Sequence, residues 1–206
     1  MRNFKNWAWL FLFGSLWGIN EVIFGKILFK DSMLFATVWL AAWAFFILAI
    51  ARGVLNKPGS STVIGIFAVI FKLANTAPFF CHLLGIFALG LVFDVFSTFL
   101  MKNERRVSYR SSLSGVLSTY GGFTLFALVI TYFVRYEYWI AGGLAKVIHH
   151  IFVKGSFAAL IAIVAVPLGY WIGVSGGALA ERRPRWTYAG ALVGVVILWT
   201  LGRIVG

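Results

Sequence analysis

KLANTAPFFCHLLGIFALGLVFD, residues 72–94, decides how the chain is divided. It holds the only cysteine, Cys81, next to one of three histidines, His82. Ala77-Pro78 comes just before them. Proline has no backbone N–H and pushes the residue before it away from helical geometry, so this pair marks a break between two helices. On that division a short helix ends near Asn75 and a long one begins at Phe79. Read as one helix instead, the stretch would move every later loop to the other side of the molecule. Lys72 and Asp94 each stand inside an apolar run, where a charge is costly and therefore informative.

The rest of the chain has the same character. Of 206 residues, 61% are hydrophobic and 12% charged, and the mean hydropathy is +0.92. Apolar runs of about 18 residues or more are long enough to cross a bilayer as helices. The expected fold is an all-α integral membrane bundle of six to seven transmembrane helices in one polytopic domain. Spans are expected at about 7–25, 33–51, 62–75, 79–101, 111–134, 156–174 and 186–201. Asn56-Lys57-Pro58-Gly59 is a turn, and Ser60 or Ser61 is placed to cap the helix after it. Pro167 is expected to kink its span. The basic N-terminal segment leads into a run without a small-residue cleavage site, as in a retained first span.

Residues 138–154 differ from the spans. Lys146, His150 and Lys154 recur every four residues on an apolar body, which predicts one amphipathic helix lying at the interface.

The net charge of +12 would suggest nucleic acid in a soluble protein. Here the lipid bilayer is the expected partner, and no nucleic acid is. With the N-terminus cytoplasmic and seven spans, the inner segments hold 11 of the 18 basic residues, the Lys/Arg bias of cytoplasmic loops. This predicts a multi-pass protein of the plasma membrane. It also places Glu21, Lys72, Cys81, His82, Lys146, His149 and His150 towards the outer side, and Asp94 towards the inner side.

The outer residues are the candidate ligand site, together with Asn20. An unpaired intramembrane carboxylate costs roughly 3 kcal/mol on insertion scales, so Glu21 needs a partner, and Lys72 lies at similar depth. The two form either a structural pair or part of a pocket wall. Cys81 and His82 carry good ligands for soft metals, yet neighbours on a helix diverge by about 100°. Cys81 is therefore either a small apolar packing residue or a lone metal ligand. Asp94 is expected to pair with Arg106 or Arg110. His149, His150 and Lys146 either bind a ligand or face lipid headgroups. Gly14 and Gly18 form a small-residue stripe that lets another helix approach, and Gly190 and Gly194 repeat it. No catalytic residues are expected. Gly173-Val174-Ser175-Gly176 is similar to the serine motif of rhomboid proteases, but all three histidines lie upstream of it, and no phosphate loop, HExxH or CxxC is present.

The first half, about residues 7–101, resembles the membrane-embedded substrate-binding S components of energy-coupling factor vitamin transporters. The resemblance is carried by the glycine-spaced GSLWGINEVIFG at 14–25 and the Pro-Gly-Ser turn at 58–60. A short third span ending in Lys72, a Pro-containing loop and a fourth span with Asp94 complete it. It implies uptake of a vitamin or metal cofactor from the outer side, closed over by loops matching residues 26–32, 75–82 and 135–154. It implies a coupling transmembrane subunit that Gly14 and Gly18 would meet, with separate ATPase subunits. Some solitary members bind cobalamin through a cysteine, and Cys81 is similarly placed to ligate its cobalt. The family usually has six spans, one fewer than expected here. Two other functions compete: a haem or redox protein using His82 with His149 or His150, and a structural subunit of a larger membrane complex.

Overall fold

The structure, a computed structural model, describes residues 2–30, 35–76, 78–101, 108–182 and 184–206. Among them there is no strand. They form eight α-helices: α1 (Arg2–Lys30), α2 (Ala36–Leu55), α3 (Ser60–Asn75), α4 (Phe80–Met101), α5 (Tyr109–Leu128), α6 (Glu137–Ile148), α7 (Gly155–Arg182) and α8 (Pro184–Val205). Six stretches are long and apolar enough to cross a membrane, and α3 is a shorter apolar helix beside them. The protein is an all-α, multi-pass membrane bundle. The loop at 102–107 and the Ala77 side of the Pro78 break lie outside the described residues, and so does Arg106.

Neighbour packing closes a ring of six helices in the order α1, α3, α4, α5, α7, α2 and back to α1, with α8 outside it against α1. Trp17, Phe45, Leu48, Ile64, Phe93 and Tyr170 fill the ring and are buried. Trp199 of α8 donates its indole N–H to Ser15 Oγ at 3.0 Å, tying the outer helix to α1.

Hydrocarbon solvent gives no hydrophobic drive for helix association, so contact depends on close backbone approach. The tightest seam is α2 against α7. A Cβ on Gly169 would sit 2.6 Å from Phe46 O, and one on Gly53 would sit 2.6 Å from Tyr170 O. Gly173 is equally closed against Ile50. Gly173 and Val174 thus serve helix packing, while Ser175 and Gly176 are exposed. Gly14 and Gly18 are not open to a partner chain either. A Cβ on Gly18 would lie 2.5 Å from Phe71 Cβ, and Gly14 is covered by Phe67, so α3 of the same chain occupies that stripe. Gly190 has nothing near it, and Gly194 meets only Leu12.

The end of the bundle where α2 stops and α3 starts is fixed by a polar lock. Arg52, fully buried, lies 3.7 Å from Asp94 Oδ1 and donates to Lys57 O at 2.9 Å and Ser97 O at 3.3 Å. Asp94 accepts the backbone N–H of Gly59 and of Thr62, each at 3.0 Å, and the Thr62 hydroxyl at 2.9 Å. A carboxylate there satisfies the unpaired N–H groups that open α3 and complements the helix dipole. The expected capping by Ser60 or Ser61 is thus replaced by Asp94 of α4, while Ser60 Oγ donates to Lys57 O. The expected Asp94–Arg110 pair is replaced by Arg52, which reaches Asp94 across the turn. Gly59, at φ 84°, supplies the left-handed residue this turn needs.

At the opposite end the helices are irregular. α5 runs on into a π-helical turn, Val129–Phe133, and α6 joins α7 through another, His149–Lys154. Gly143 breaks α6 with φ 55° and ψ −159°. The continuous amphipathic helix expected over 138–154 is therefore divided in two places. Lys146 folds over the Tyr138 ring and donates to Tyr138 O at 2.7 Å, His150 turns inward, and the three residues share no solvated face. Inside α7, Pro167 removes the hydrogen bond to the carbonyl of Ile163, and the Ser112 hydroxyl of α5 donates to that carbonyl at 2.9 Å.

Candidate ligand site at the irregular end

α3 has 16 residues, about 24 Å of helix at ~1.5 Å per residue, which is short of the ~30 Å hydrocarbon core. It spends its length from the Arg52–Asp94 end and stops at Asn75, leaving space at the other end of the ring. Two cavities occupy that space.

The first, of about 100 Å³, is walled mainly by α1, α2, α4 and α5, with His150 closing one side. Its apolar wall includes Leu40, Ile86, Leu89, Phe123 and Phe126, and its polar groups are Glu21, Thr37, Cys81, His82 and His150. The second, of about 300 Å³, is lined by Lys26, Lys72, Thr76, Pro78 and Phe79 among others. Glu21 and His82 line both cavities.

Glu21 comes from α1 and Lys72 from the last turn of α3. Lys72 Nζ donates to Glu21 Oε2 at 2.8 Å, and both side chains are about 93% buried, as their 7% and 6% exposures show. The expected pair exists and is also cavity wall, so the structural role and the pocket role coincide. Adjacent Cys81 and His82 both reach the first cavity at the start of α4, although successive helical residues point about 100° apart. The cavity is wide enough to be touched from both directions.

His150, 8% exposed, is held by aromatic rings. It stacks on Phe123 with centroids 4.8 Å apart and planes at 22°, and meets Trp139 edge-on at 5.1 Å. Both distances fall in the range where ring pairs attract. As neighbours on one helical turn, the two histidines point in different directions. His149 faces outward and touches neither cavity, so it drops out of the site. Lys146 drops out as well, being folded against Tyr138. Asn20 lines neither cavity; its Oδ1 is buried without a hydrogen-bond partner among the described residues.

Thr37, Phe123 and Phe126 were not legible in the sequence as site residues. Thr37 Oγ1 is buried at the cavity and has no partner among the described residues. An unpaired buried hydroxyl costs about 1–3 kcal/mol, which a polar ligand atom would offset. Its one sequence signal is a lone hydroxyl in the first turn of an apolar span. The two phenylalanines carry no signal in a chain with 21 of them.

Among the described residues, no three His, Cys, Asp or Glu side chains gather closely enough to hold a metal ion. Cys81 could contribute one ligand to a metal that arrives with its other ligands in place. The site's chemistry is otherwise that of recognition: an apolar slot, aromatic faces and a few convergent polar groups. No protein-family model, no curated protein and no solved structure matches this chain.

Proposed function

We infer that the chain is the substrate-binding subunit of a membrane uptake system, taking a small molecule of the vitamin or cofactor class from the outer side. The observation that supports this most is the convergence of Glu21, Thr37, Cys81, His82 and His150 on one cavity at a single end of the bundle. Membrane interiors do not retain such groups cheaply, and together they mark a binding site rather than a packing seam. With the N-terminus cytoplasmic, as the Lys/Arg bias favours, this end faces outward. The protein then sits in the plasma membrane with its site open to the exterior.

The six-helix ring supports the resemblance to S components of energy-coupling factor transporters. The ring has as many helices as the family's usual span number, one of them the short α3, and α8 is an additional helix outside it. A coupling transmembrane subunit and ATPase subunits would supply the energy. Gly14 and Gly18 are covered by α3, so such a partner would dock on another face. The cavity of about 100 Å³ lies below the ~300–1,000 Å³ usual for ligand pockets, so the site suits a ligand smaller than cobalamin. His82 and His150 on one cavity favour haem as a second reading, in which a porphyrin would require the ring to open.

Gly85 provides the test. It lines the first cavity, and a Cβ there would meet nothing nearer than Phe126 at 3.8 Å, so Gly85→Leu fills the cavity without disturbing the backbone. Native mass spectrometry of the purified protein is expected to show a small-molecule adduct that Gly85→Leu lacks. An adduct equally retained by Gly85→Leu would remove the site. A visible absorption spectrum with a bis-histidine signature would turn the assignment to haem.

A further inference from the structure

The first cavity holds hydrogen-bonding capacity that the protein itself leaves unused. His150 is 8% exposed, and the rings of Phe123, Phe126 and Trp139 surround it. Neither of its ring nitrogens makes a hydrogen bond among the described residues. An imidazolium held only by rings would be a costly charge in a membrane interior. The ring is therefore neutral, with one donor and one acceptor nitrogen. Thr37 Oγ1, buried at the same cavity, is also without a partner among the described residues. The one carboxylate of the described lining, Glu21, already has its counter-charge in Lys72 at 2.8 Å. Most of the remaining wall is apolar or aromatic, and Gly85 leaves part of it without a side chain. Size sets a further limit. An apolar core cavity of about 150 Å³ holds one benzene. This cavity, at about 100 Å³, has room for a single small ring.

We propose that the first cavity by itself takes an uncharged molecule of single-ring size, with donor and acceptor atoms on an otherwise apolar body, the class of an azole. This rests on the ligand-binding function proposed above and adds the ligand's class. The ligand's polar atoms meet His150 and Thr37, and its body lies against Leu89, Phe126 and the bare wall at Gly85. A charged ligand of the same size, of either sign, would give up its water for a chamber whose carboxylate is already paired and whose two open groups are neutral. A ring without polar atoms would leave both open groups unpartnered.

Cys81 is the only cysteine in the chain and lines this cavity half-buried, so its alkylation reports occupancy at one defined atom. The protein is placed in phosphatidylcholine nanodiscs and treated with iodoacetamide near neutral pH, with intact mass as the readout. Pyrazole is the uncharged hydrogen-bonding probe. Thiophene offers a ring of similar size without an N–H donor, tetrazole an anionic ring and pyrrolidine a cationic one. Indazole is pyrazole with a second ring fused to it. Half-protection of Cys81 is expected at a concentration at least about tenfold lower for pyrazole than for any of the other four, the worth of about one hydrogen bond. Thr37→Val and His150→Phe keep the shape and remove the polar atoms. Each should reduce pyrazole's advantage over thiophene while leaving protection by thiophene as it was, which shows that the cavity is intact. An advantage unchanged in both variants overturns the proposal. Equal or better protection by thiophene overturns polar recognition, by tetrazole or pyrrolidine the uncharged class, and by indazole the single-ring size. No protection by any probe, with the mass adduct still lost in Gly85→Leu, overturns the ligand class and leaves the proposed function standing. Pyrazole protection that Gly85→Leu removes, in a protein with no mass adduct, upholds the ligand class and withdraws support from the proposed function.

Discussion

Arg52–Asp94 and Glu21–Lys72 are both buried ion pairs that join neighbouring helices, and they sit towards opposite ends of the same ring. Their surroundings separate them. Asp94 receives two backbone N–H groups and a threonine hydroxyl besides its arginine, and neither residue of that pair lines a described cavity. Glu21 and Lys72 form a direct 2.8 Å contact between two cavities, and Glu21 lines both. The first arrangement is a cap and a lock: its hydrogen bonds are made inside the protein and leave little for a ligand. The second is a contact with room around it. An ion pair in a membrane bundle is therefore diagnostic of function only when its remaining hydrogen-bonding capacity faces open space.

The largest effect should come from Asp94→Ala. It leaves Arg52 buried without its carboxylate and uncaps α3, a loss of about 3–5 kcal/mol for a broken buried pair. The apparent Tm in nanodiscs, followed by circular dichroism, should fall further than for any change at Glu21. A Glu21→Ala variant equally destabilised would erase the contrast between the two ends.

Glu21→Gln comes next. The amide keeps a hydrogen-bond acceptor for Lys72 but loses the charge, and cavity space lets the lysine rehydrate. The stability loss should be about 1–2 kcal/mol, near the worth of one charged hydrogen bond, while Cys81 alkylation should change severalfold. Lost stability without any change at Cys81 would make this pair as purely structural as the other.

Gly18→Leu tests the contrast from the packing side. Leucine at that position drives α3 away through Phe71, the residue before Lys72, and so separates the ion pair without altering either member. Overpacking of this kind costs about 1–3 kcal/mol. The loss should appear in the isolated chain by thermal unfolding, because the contact lies within one molecule. Ser112→Ala should have the smallest effect, about 0.5–1.5 kcal/mol for one hydrogen bond to the carbonyl freed by Pro167. Cys81 alkylation should be unchanged there, which makes it the control for stability loss far from the cavities.

Much of the architecture was legible, for a definite reason. Apolar runs in a bilayer can only be helices, so hydropathy gave the all-α class while leaving six or seven spans open. The break at Ala77-Pro78 correctly divided the short α3 from α4. Glu21 and Lys72 were paired from depth alone, because few other charges lie at that depth. Arg52 was missed as a partner of Asp94, because which helix end meets Asp94 depends on the turn that joins α2 to α3, and a turn's geometry is not written in hydropathy. Helical spacing puts Lys146, His150 and Lys154 on one face, but His150 is buried among Phe123, Phe126 and Trp139 and Lys146 folds back on Tyr138, contacts that spacing does not encode.

The sequence by itself determined a helical membrane protein, where its chain breaks, and which rare polar groups needed an explanation, because each follows from the cost of an unpaired group in hydrocarbon. Only the tertiary structure decided which of those groups meet. Close approach at Gly53, Gly169 and Gly173 sets the ring. The short α3 leaves a gap at one end, and the rings of Phe123, Phe126 and Trp139 hold His150 towards it while His149 faces outward. Those outcomes depend on backbone contacts a fraction of an ångström apart, which residue types and spacing do not encode.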